Sequence, residues 1–365
     1  MQSADQIVDE HLSGQGGPRV LDLSCKGLTE LPEKVLSLEK LEVLNLEKNR
    51  IIELPPELAR LKNLKVLRLE RNRLSFLPPE IGGMTQLEVL EAGFNRLTGL
   101  PDEICGLDSL KVLNIVYQKP PLHMAGKSSK SSLKRLPENI GRLCNLEVLD
   151  VRMNQVEELP ASLAELKNLK SLMLNNNLIK KLPENLERLN RLQEIWASNN
   201  SIAELPPHIS CLTELRKFCL SGNGIERLPP EIGKLGNIVK LDLSGNLLKR
   251  VPESIGNLEK MEYLWLNHNM LRELPPELGN LRSLRWLFLK ENLLQSVPPE
   301  IGRLADLERL DLGTNKLKAL PPELKNLEKL EELWIDNNDL GQAPYELMKM
   351  PALENIHMYG NRFHL

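Results

Sequence analysis

Large aromatic side chains at regular spacing are the residues of this chain best suited to recognition chemistry. Aromatic residues make up 4% of the sequence, yet Tyr263, Trp265, Trp286 and Phe288 fall within one short stretch, where they alternate with leucines. Tryptophan and tyrosine combine a large apolar area with a polar edge, and they are enriched where loss of one side chain weakens protein binding. Whether these rings form part of the core or a binding surface depends on the elements that position them.

The residues that could support catalysis or bind a metal form no recognisable motif. The six histidines are scattered, and none pairs at metal-ligand spacing. The segment AGKSS, residues 125–129, resembles the end of a phosphate-binding loop, but the first glycine of that motif would fall at Pro121. We therefore expect a chain that is not an enzyme and that has no catalytic residues, no metal site and no cofactor.

The composition restricts which cellular compartment and which classes of partner we expect. The net charge is −3, from 47 basic and 50 acidic residues, which gives no bulk attraction to nucleic acid or to an anionic membrane. The five cysteines are odd in number and include no CxxC pair, which favours a reducing compartment. The N-terminus does not resemble a signal peptide, and no apolar run is long enough for a membrane span. We predict a cytoplasmic protein with no membrane insertion.

A 23-residue repeat occupies nearly the whole chain. The frame LxxLxLxxNxLxxLPxxLxxLxx fits residues 18–352 as fourteen units and residues 353–365 as a partial fifteenth. Position 15 is proline in all fourteen full units, and position 9 is asparagine in all but two of the fifteen. The fifth unit carries 13 additional residues, 119–131. Such self-similarity indicates a repeat architecture.

The spacing within one unit predicts its local structure. LxxLxL is typical of a short strand with positions 4 and 6 facing inward and positions 3 and 5 outward. Stacked copies build a parallel sheet over a continuous leucine core. The position 9 amide can pair backbone groups that would otherwise be buried without partners. The half that begins with LP predicts short extended or 3-10 segments behind the sheet.

These residues resemble the leucine-rich repeat proteins. The LPxx[IL]xxL half and the 23-residue length are similar to the intracellular Ras group, which includes the Ras-suppressor, Scribble-type and plant Ras-group scaffolds. The resemblance covers residues 18–365 and implies an α/β repeat solenoid, a right-handed horseshoe with the parallel sheet on its concave face. It also implies a signalling role connected with small Ras-like GTPases.

Numbering within the repeat places the aromatic residues on the concave face, at positions 3 and 5, with His268 and Arg309 at their margin. One interpretation is cross-strand packing of neighbouring rings. The other, which we favour, is a hot spot for a protein partner. The predicted partner-binding residues are Trp196, Tyr263, Trp265, His268, Trp286, Phe288, Arg309 and Trp334. Cys219 also holds position 5, and we expect it to be exposed.

The N-terminal half of the same face is polar. It carries Arg68, Arg71, Asp150 and Arg152. These residues either form a solvated mixed-charge surface or make a secondary polar contact that sets the orientation and association rate of a partner. Two chemically distinct halves suit one long partner or two different partners.

We make separate predictions for the two ends of the repeat array and for the insert. Residues 3–12 begin with a capping box and have one apolar face, so residues 1–17 are predicted to form an N-terminal capping segment. In the last unit Phe363 is expected in the core. The insert 119–131 is lysine- and serine-rich, and it is either a tolerated mobile loop or a regulated docking loop.

The sequence thus predicts a non-catalytic scaffold or adaptor that holds a protein partner in its concave groove, and the family resemblance suggests a Ras-like small GTPase or its signalling complex. The alternative within binding modules is a regulatory subunit that docks on a phosphatase or kinase, although the common basic-x-Val-x-Phe docking pattern is missing. An enzyme and an extracellular recognition receptor are the rivals from other classes.

Overall fold

A three-residue strand forms at positions 3 to 5 of every repeat in the computed structural model, which describes residues 19–118 and 132–363. The predicted capping helix over residues 3–12 and the insert 119–131 lie outside the described residues. The chain divides into two units, Met1–Ile179 and Lys180–Leu365.

The described residues of the first unit form seven strands that pair in chain order, each parallel to the next. Equivalent repeat positions lie side by side, so the sheet register follows the 23-residue period. The strands are β1 (Val20–Asp22), β2 (Val43–Asn45), β3 (Val66–Arg68), β4 (Val89–Glu91), β5 (Val112–Asn114), β6 (Val148–Asp150) and β7 (Ser171–Met173).

The second unit, as far as residue 363, forms eight strands with the same parallel, in-order pairing. They are β8 (Glu194–Trp196), β9 (Lys217–Cys219), β10 (Lys240–Asp242), β11 (Tyr263–Trp265), β12 (Trp286–Phe288), β13 (Arg309–Asp311), β14 (Glu332–Trp334) and β15 (Asn355–His357). Both units therefore have the predicted repeat solenoid fold, with parallel strands backed by short 3-10 turns.

The back of each unit consists of 3-10 turns that start just after the position 15 proline in most repeats. Proline fixes φ and lacks an N–H group, so it suits a helical start at no hydrogen-bonding cost. In the first unit the turns are Glu33–Ser37, Pro56–Arg60, Pro79–Gly83, Asp102–Gly106, Ile140–Arg142 and Ala161–Glu165. In the second unit they are Leu186–Arg188, Pro207–Cys211, Pro230–Lys234, Glu253–Asn257, Pro276–Asn280, Pro299–Arg303, Pro322–Asn326 and Leu347–Lys349.

Neighbouring 3-10 turns pack so closely that several require glycine. A Cβ atom built on Gly256 would lie 2.3 Å from the backbone oxygen of Glu277 in the next turn. The equivalent glycines Gly279 and Gly302 have the same contact with Glu300 and Glu323. Glycine therefore sets how closely successive repeats approach on the back of the second unit.

The core between sheet and turns consists of the repeated leucines and isoleucines, which are almost all fully buried. Positions 4 and 6 point inward, as the sequence predicts, while the flanking strand residues are mostly half-buried or exposed. The last unit departs from the prediction. Ile356 and Phe363 are half-buried rather than core residues, because no described strand pairs with the outer edge of β15.

The predicted asparagine ladder is confirmed. In the second unit, Oδ1 of Asn292 accepts hydrogen bonds from the Leu271 N–H, and its Nδ2 donates to the backbone oxygens of Leu266 and Leu289. The same pattern repeats at Asn49, Asn72, Asn95, Asn246, Asn269, Asn315 and Asn338. Gln118 takes over this role in the fifth unit with its longer side chain.

Position 8 of every described repeat adopts positive φ, a feature that the sequence analysis missed. Glycine holds this position in three repeats, but twelve others use a residue with a side chain, such as His268 at φ 53° and Thr314 at φ 51°. A β-branched residue in this left-handed conformation is strained. Where a residue with a side chain holds position 8, the repeat therefore imposes a backbone conformation that such residues rarely adopt.

Candidate functional site

Five aromatic side chains from three strands of the second unit form a continuous layer on the outer side of the sheet. We call Tyr263, Trp265, Trp286, Phe288 and Trp334 the aromatic face. Tyr263 pairs in register with Trp286, and Trp265 pairs with Phe288, because each pair occupies the same position in successive repeats. The structure thus brings together five of the predicted partner-binding residues.

The rings pack in alternating orientations. Tyr263 meets Trp286 edge-on, with centroids 5.0 Å apart, and Trp265 meets Trp286 at 90° and 6.4 Å. Phe288 reaches Trp334 across one intervening strand, at 6.2 Å and 82°. Edge-to-face pairs of this kind are stabilising. All five rings are half-buried, so they pack on one another and still present apolar edges to solvent.

Two cations lie against this layer. The Arg309 guanidinium lies 4.8 Å from the Trp286 ring centroid, and the Lys240 ammonium lies 5.0 Å from that of Tyr263. Arg309 also approaches Glu332 at 3.6 Å. Arg309 is therefore fixed beside the aromatic face, where the sequence places it.

Asp311 lies between Phe288 and Trp334 in the sheet register. The two rings approach each other across its strand, and burial raises the pKa of the Asp311 carboxyl. One of its oxygens accepts a hydrogen bond from the Gly313 N–H at 2.9 Å. Asp336 lies in the turn that follows β14, is only 4% exposed, and accepts a hydrogen bond from the side-chain amide of Asn337.

Trp196 does not join the aromatic face. It lies on β8, and the intervening strands β9 and β10 carry Cys219 and Asp242 at the equivalent position. Its indole N–H donates to Glu194 at 2.9 Å, and Lys217 lies 6.0 Å from its ring centroid. Trp196 is therefore a separate, polar-flanked aromatic position.

The prediction that Cys219 is exposed is wrong. Its side chain is 8% exposed, because a short residue between Trp196 and Asp242 is covered by its larger neighbours. Burial raises the pKa of the thiol to about 12, so it is not a reactive group at neutral pH.

His268 lies at the margin of the aromatic face, in the left-handed turn after β11. Its Nδ1 is 2.8 Å from a carboxylate oxygen of Glu291, which occupies the same turn of the next repeat. Both side chains are largely exposed. They form a polar rim beside the rings.

A family model described as a leucine-rich repeat region matches residues 10–133, 122–206, 206–289 and 273–362. The chain belongs to the leucine-rich repeat family. A search of curated proteins found no match. Among solved structures, a leucine-rich repeat protein of Leptospira interrogans has 30% sequence identity and a TM-score of 0.74 over 98% of both chains.

Two further solved structures with a similar fold come from a plant and from Drosophila. The plant peptide hormone receptor RGFR1, solved in complex with RGF2, is 28% identical with a TM-score of 0.74, over 93% of this chain and 59% of that one. Drosophila Toll, solved with Spätzle, shares the fold at 21% identity and a TM-score of 0.72, over 92% of this chain and 50% of the Toll chain. Leucine-rich repeats commonly mediate protein–protein interaction.

The predicted secondary polar contact lies in the first leucine-rich repeat unit. Arg68 pairs with Glu91 at 2.9 Å, and Arg71 lies 4.9 Å from the Phe94 ring centroid. Asp150 is buried and binds Arg152 through both oxygens, at 2.9 and 2.7 Å. Of that last pair, only Arg152 presents its side chain to solvent, so the carboxylate can act on a partner only through the arginine.

Two features of these faces were not predicted from the sequence. Position 3 of the first unit is valine in six successive strands, which gives an apolar stripe of β-branched side chains in register. In the second unit, His357 extends the aromatic face, since its ring stacks on Trp334 at 5.5 Å and 5°. Both features could have been found by reading positions 3 and 5 down all the repeats.

Within the part of the chain that the structure describes, no helix has the length and apolar character needed to cross a membrane. The same residues contain no group of three or more histidine, cysteine, aspartate or glutamate side chains placed to hold a metal ion.

Proposed function

We propose that this leucine-rich repeat protein is a non-catalytic protein-binding scaffold whose partner docks on the aromatic face of the second unit. The observation that supports the proposal is the continuity of the five rings, which give one apolar surface with Arg309 and Lys240 on it. Large aromatic and arginine side chains grouped within a polar rim are typical of binding hot spots.

The proposal extends to the kind of partner and its compartment. We infer a cytoplasmic signalling partner, and the similarity of the repeat to Ras-group scaffolds suggests a Ras-like small GTPase or a protein of its pathway. All five cysteines are unpaired, which fits a reducing compartment. RGFR1, whose structure holds a bound peptide, is a precedent for ligand binding by a related array.

The test compares Trp265→Ala/Trp286→Ala with the wild type. Affinity capture with the wild type identifies the retained proteins, and titration of each candidate, including small GTPases in both nucleotide states, measures its affinity. Loss of central aromatic anchors should weaken binding by about thirtyfold or more, equivalent to at least ~2 kcal/mol. The double mutant should lose about 2 kcal/mol of stability through its ring contacts.

Two controls separate binding from folding. Leu264→Ala, on the same strand but pointing into the core, should cost about 2–5 kcal/mol of stability and leave the affinity unchanged while the protein is folded. Phe76→Ala/Tyr345→Ala removes two exposed rings outside the aromatic face and should change neither property. Equal affinity of the Trp double mutant and the wild type would refute docking on the aromatic face.

A further inference from the structure

Basic side chains follow the turns that leave the sheet in the first unit. We call them the basic row, which consists of Lys48 and Arg71 at repeat position 8 and of Arg50, Arg73 and Arg96 at position 10. Backbone hydrogen bonds hold these turns side by side. The Arg73 N–H donates to the Ile51 oxygen, and the Arg96 N–H donates to the Leu74 oxygen, both at 2.9 Å. The basic row therefore places like charges on three neighbouring turns.

The positive charge of the basic row is not balanced at the same repeat positions. Positions 8, 10 and 12 of the second to fourth repeats hold five basic side chains and no acidic one. In the eighth to fourteenth repeats, the same positions hold four lysines and arginines and three acidic residues. The five basic residues form no ion pair with any residue that the structure describes, and all except Arg96 are exposed. The row is therefore a local basic surface on a chain whose net charge is −3.

The carboxylates that flank the basic row in the sequence do not neutralise it. Glu47 and Glu70 precede the position 8 residues and are half-buried. Glu70 accepts a hydrogen bond from the side-chain amide of Asn114 on β5, and burial and nearby carboxylates raise its pKa despite the attraction of Arg71. Glu53 lines a separate recess among prolines, which no residue of the row lines. These acids therefore leave the cations of the row available to a partner.

Arg71 is held by an aromatic ring instead of a carboxylate. Its guanidinium lies 4.9 Å from the Phe94 ring centroid, and the Phe94 ring lies 5.3 Å from that of Tyr117. Stacking on a ring restricts an arginine side chain and leaves the N–H groups in the guanidinium plane able to donate. An arginine held in this way can bind a carboxylate through two hydrogen bonds with a smaller loss of side-chain entropy.

We infer that the basic row binds an acidic segment of a protein partner, with aspartate or glutamate carboxylates on Arg50, Arg71 and Arg73. The argument for this occupant is charge complementarity with five cations that lack an ion pair in the described protein. The negative net charge of the whole chain opposes a long polyanion such as nucleic acid, whereas a short acidic segment meets mainly the local charge. The row lies in the first unit, so this inference can hold or fail independently of docking on the aromatic face.

The probe is a displayed library of random peptides, selected for retention by the wild type and against retention by Arg50→Gln/Arg73→Gln. Glutamine removes the charge and keeps a polar side chain. The matched control is Arg60→Gln/Arg142→Gln. Arg60 and Arg142 are exposed at the ends of 3-10 turns of the same unit, and they also form no ion pair with a described residue.

The selected peptides should be enriched in aspartate and glutamate. A recovered peptide should bind Arg50→Gln/Arg73→Gln at least about fivefold more weakly than the wild type, and should bind the Arg60→Gln/Arg142→Gln control with unchanged affinity. Phe94→Ala should weaken binding about threefold, because it removes the ring on which Arg71 stacks. Added salt should weaken binding to the wild type more than binding to the Arg50→Gln/Arg73→Gln variant.

Several outcomes would overturn the inference. Selected peptides without an excess of acidic residues, or an equal loss of affinity on the Arg60→Gln/Arg142→Gln control, would show that the basic row is not a specific site for an acidic segment. Loss of peptide binding in Trp265→Ala/Trp286→Ala would place the peptide on the aromatic face and leave the proposed function standing.

Two further measurements test the class of ligand and the fold. The wild type and Arg50→Gln/Arg73→Gln are titrated with single-stranded oligothymidylate and with phosphatidylserine vesicles. Binding of either probe that depends on these arginines, with no acidic peptide selected, would assign the row to nucleic acid or to a membrane instead. The Arg double mutant should unfold at the same or a higher denaturant concentration than the wild type, since it removes like charges from neighbouring turns. A clearly lower midpoint would assign these arginines to the fold.

Discussion

Replacing one ladder asparagine tests the central structural claim about the repeat. Asn292 is 5% exposed, and its side chain binds the Leu271 N–H and the oxygens of Leu266 and Leu289 at 2.9 to 3.0 Å. Asn292→Ala removes these three hydrogen bonds, together with a longer fourth one of 3.4 Å from Nδ2 to the Lys290 oxygen, and leaves the backbone groups without that partner. The matched control is Asn280→Ala, since Asn280 is exposed at the end of a 3-10 turn in the preceding repeat.

The magnitude follows from the three bonds. A hydrogen bond contributes about 1 kcal/mol net, so the loss should be about 3 kcal/mol. With an unfolding entropy of about 2.1 cal/mol/K per residue, a chain of 365 residues that unfolds in one step should melt about 4 °C lower. Repeat arrays can unfold in smaller cooperative segments, in which case the segment around Asn292 should shift by more.

Circular dichroism and tryptophan fluorescence can follow the unfolding of the whole chain and of the second unit, which contains all four tryptophans. We expect Asn292→Ala to lower both midpoints and Asn280→Ala to leave them within error of the wild type. Equal midpoints for the two variants would refute the claim that the position 9 amide pairs the buried backbone.

Four further outcomes are expected. Gly256→Ala should lower the free energy of unfolding by about 2 kcal/mol, measured by denaturant unfolding, because the new Cβ would collide with a backbone oxygen. Gly236→Ala should leave the free energy of unfolding unchanged, because no atom lies near the position of its new Cβ. Thr314→Gly should stabilise the protein by about 1 kcal/mol and raise its melting temperature, because it removes a β-branched side chain from a position of positive φ. A lower melting temperature would show that this turn is unstrained. Burial raises the pKa of Asp311, so the folded state binds this proton more tightly than the unfolded state, and the stability of the wild type falls as the pH rises from 3.8 through the raised pKa. Asp311→Asn should therefore gain stability relative to the wild type over that pH range. A stability difference between the two proteins that does not change with pH would contradict the burial of this carboxyl. A thiol reagent at neutral pH should modify three cysteines quickly, as counted by mass spectrometry, and spare the two buried ones until unfolding. The three reactive cysteines are Cys25, Cys144 and Cys211.

The sequence predicts those parts of the fold that depend on one repeat alone. The inward leucines follow from the two-residue period of a strand, and the role of Asn292 follows from the need to pair buried backbone groups. The left-handed turn could also have been predicted from the sequence, because position 8 is glycine in three repeats, at Gly222, Gly245 and Gly360. Glycine recurring at one repeat position indicates positive φ.

The candidate site is less predictable, because burial on the face depends on side chains one repeat away. Cys219 and Trp265 hold the same repeat position, yet the thiol is covered and the indole keeps an exposed edge. Asp150 is buried by its bond to Arg152, which no spacing rule distinguishes from an exposed carboxylate. The approach of Phe288 to Trp334 across Asp311 likewise depends on rotamers that only the packed structure defines.

The two units carry different side chains at the outward-facing positions of their strands. In the first unit, position 3 is valine in six successive strands, from Val20 to Val148, so a small β-branched side chain at this position is enough for the sheet to form. The second unit places Tyr263 and Trp286 at that position and leaves Asp311 without an ion-pair partner among the described residues. Neither choice is needed to form a strand, and a carboxylate half-buried without a cation lowers the stability of the free protein. Side chains that exceed what the fold requires, beside a charge that the fold does not neutralise, are what a surface shaped for a partner would contain.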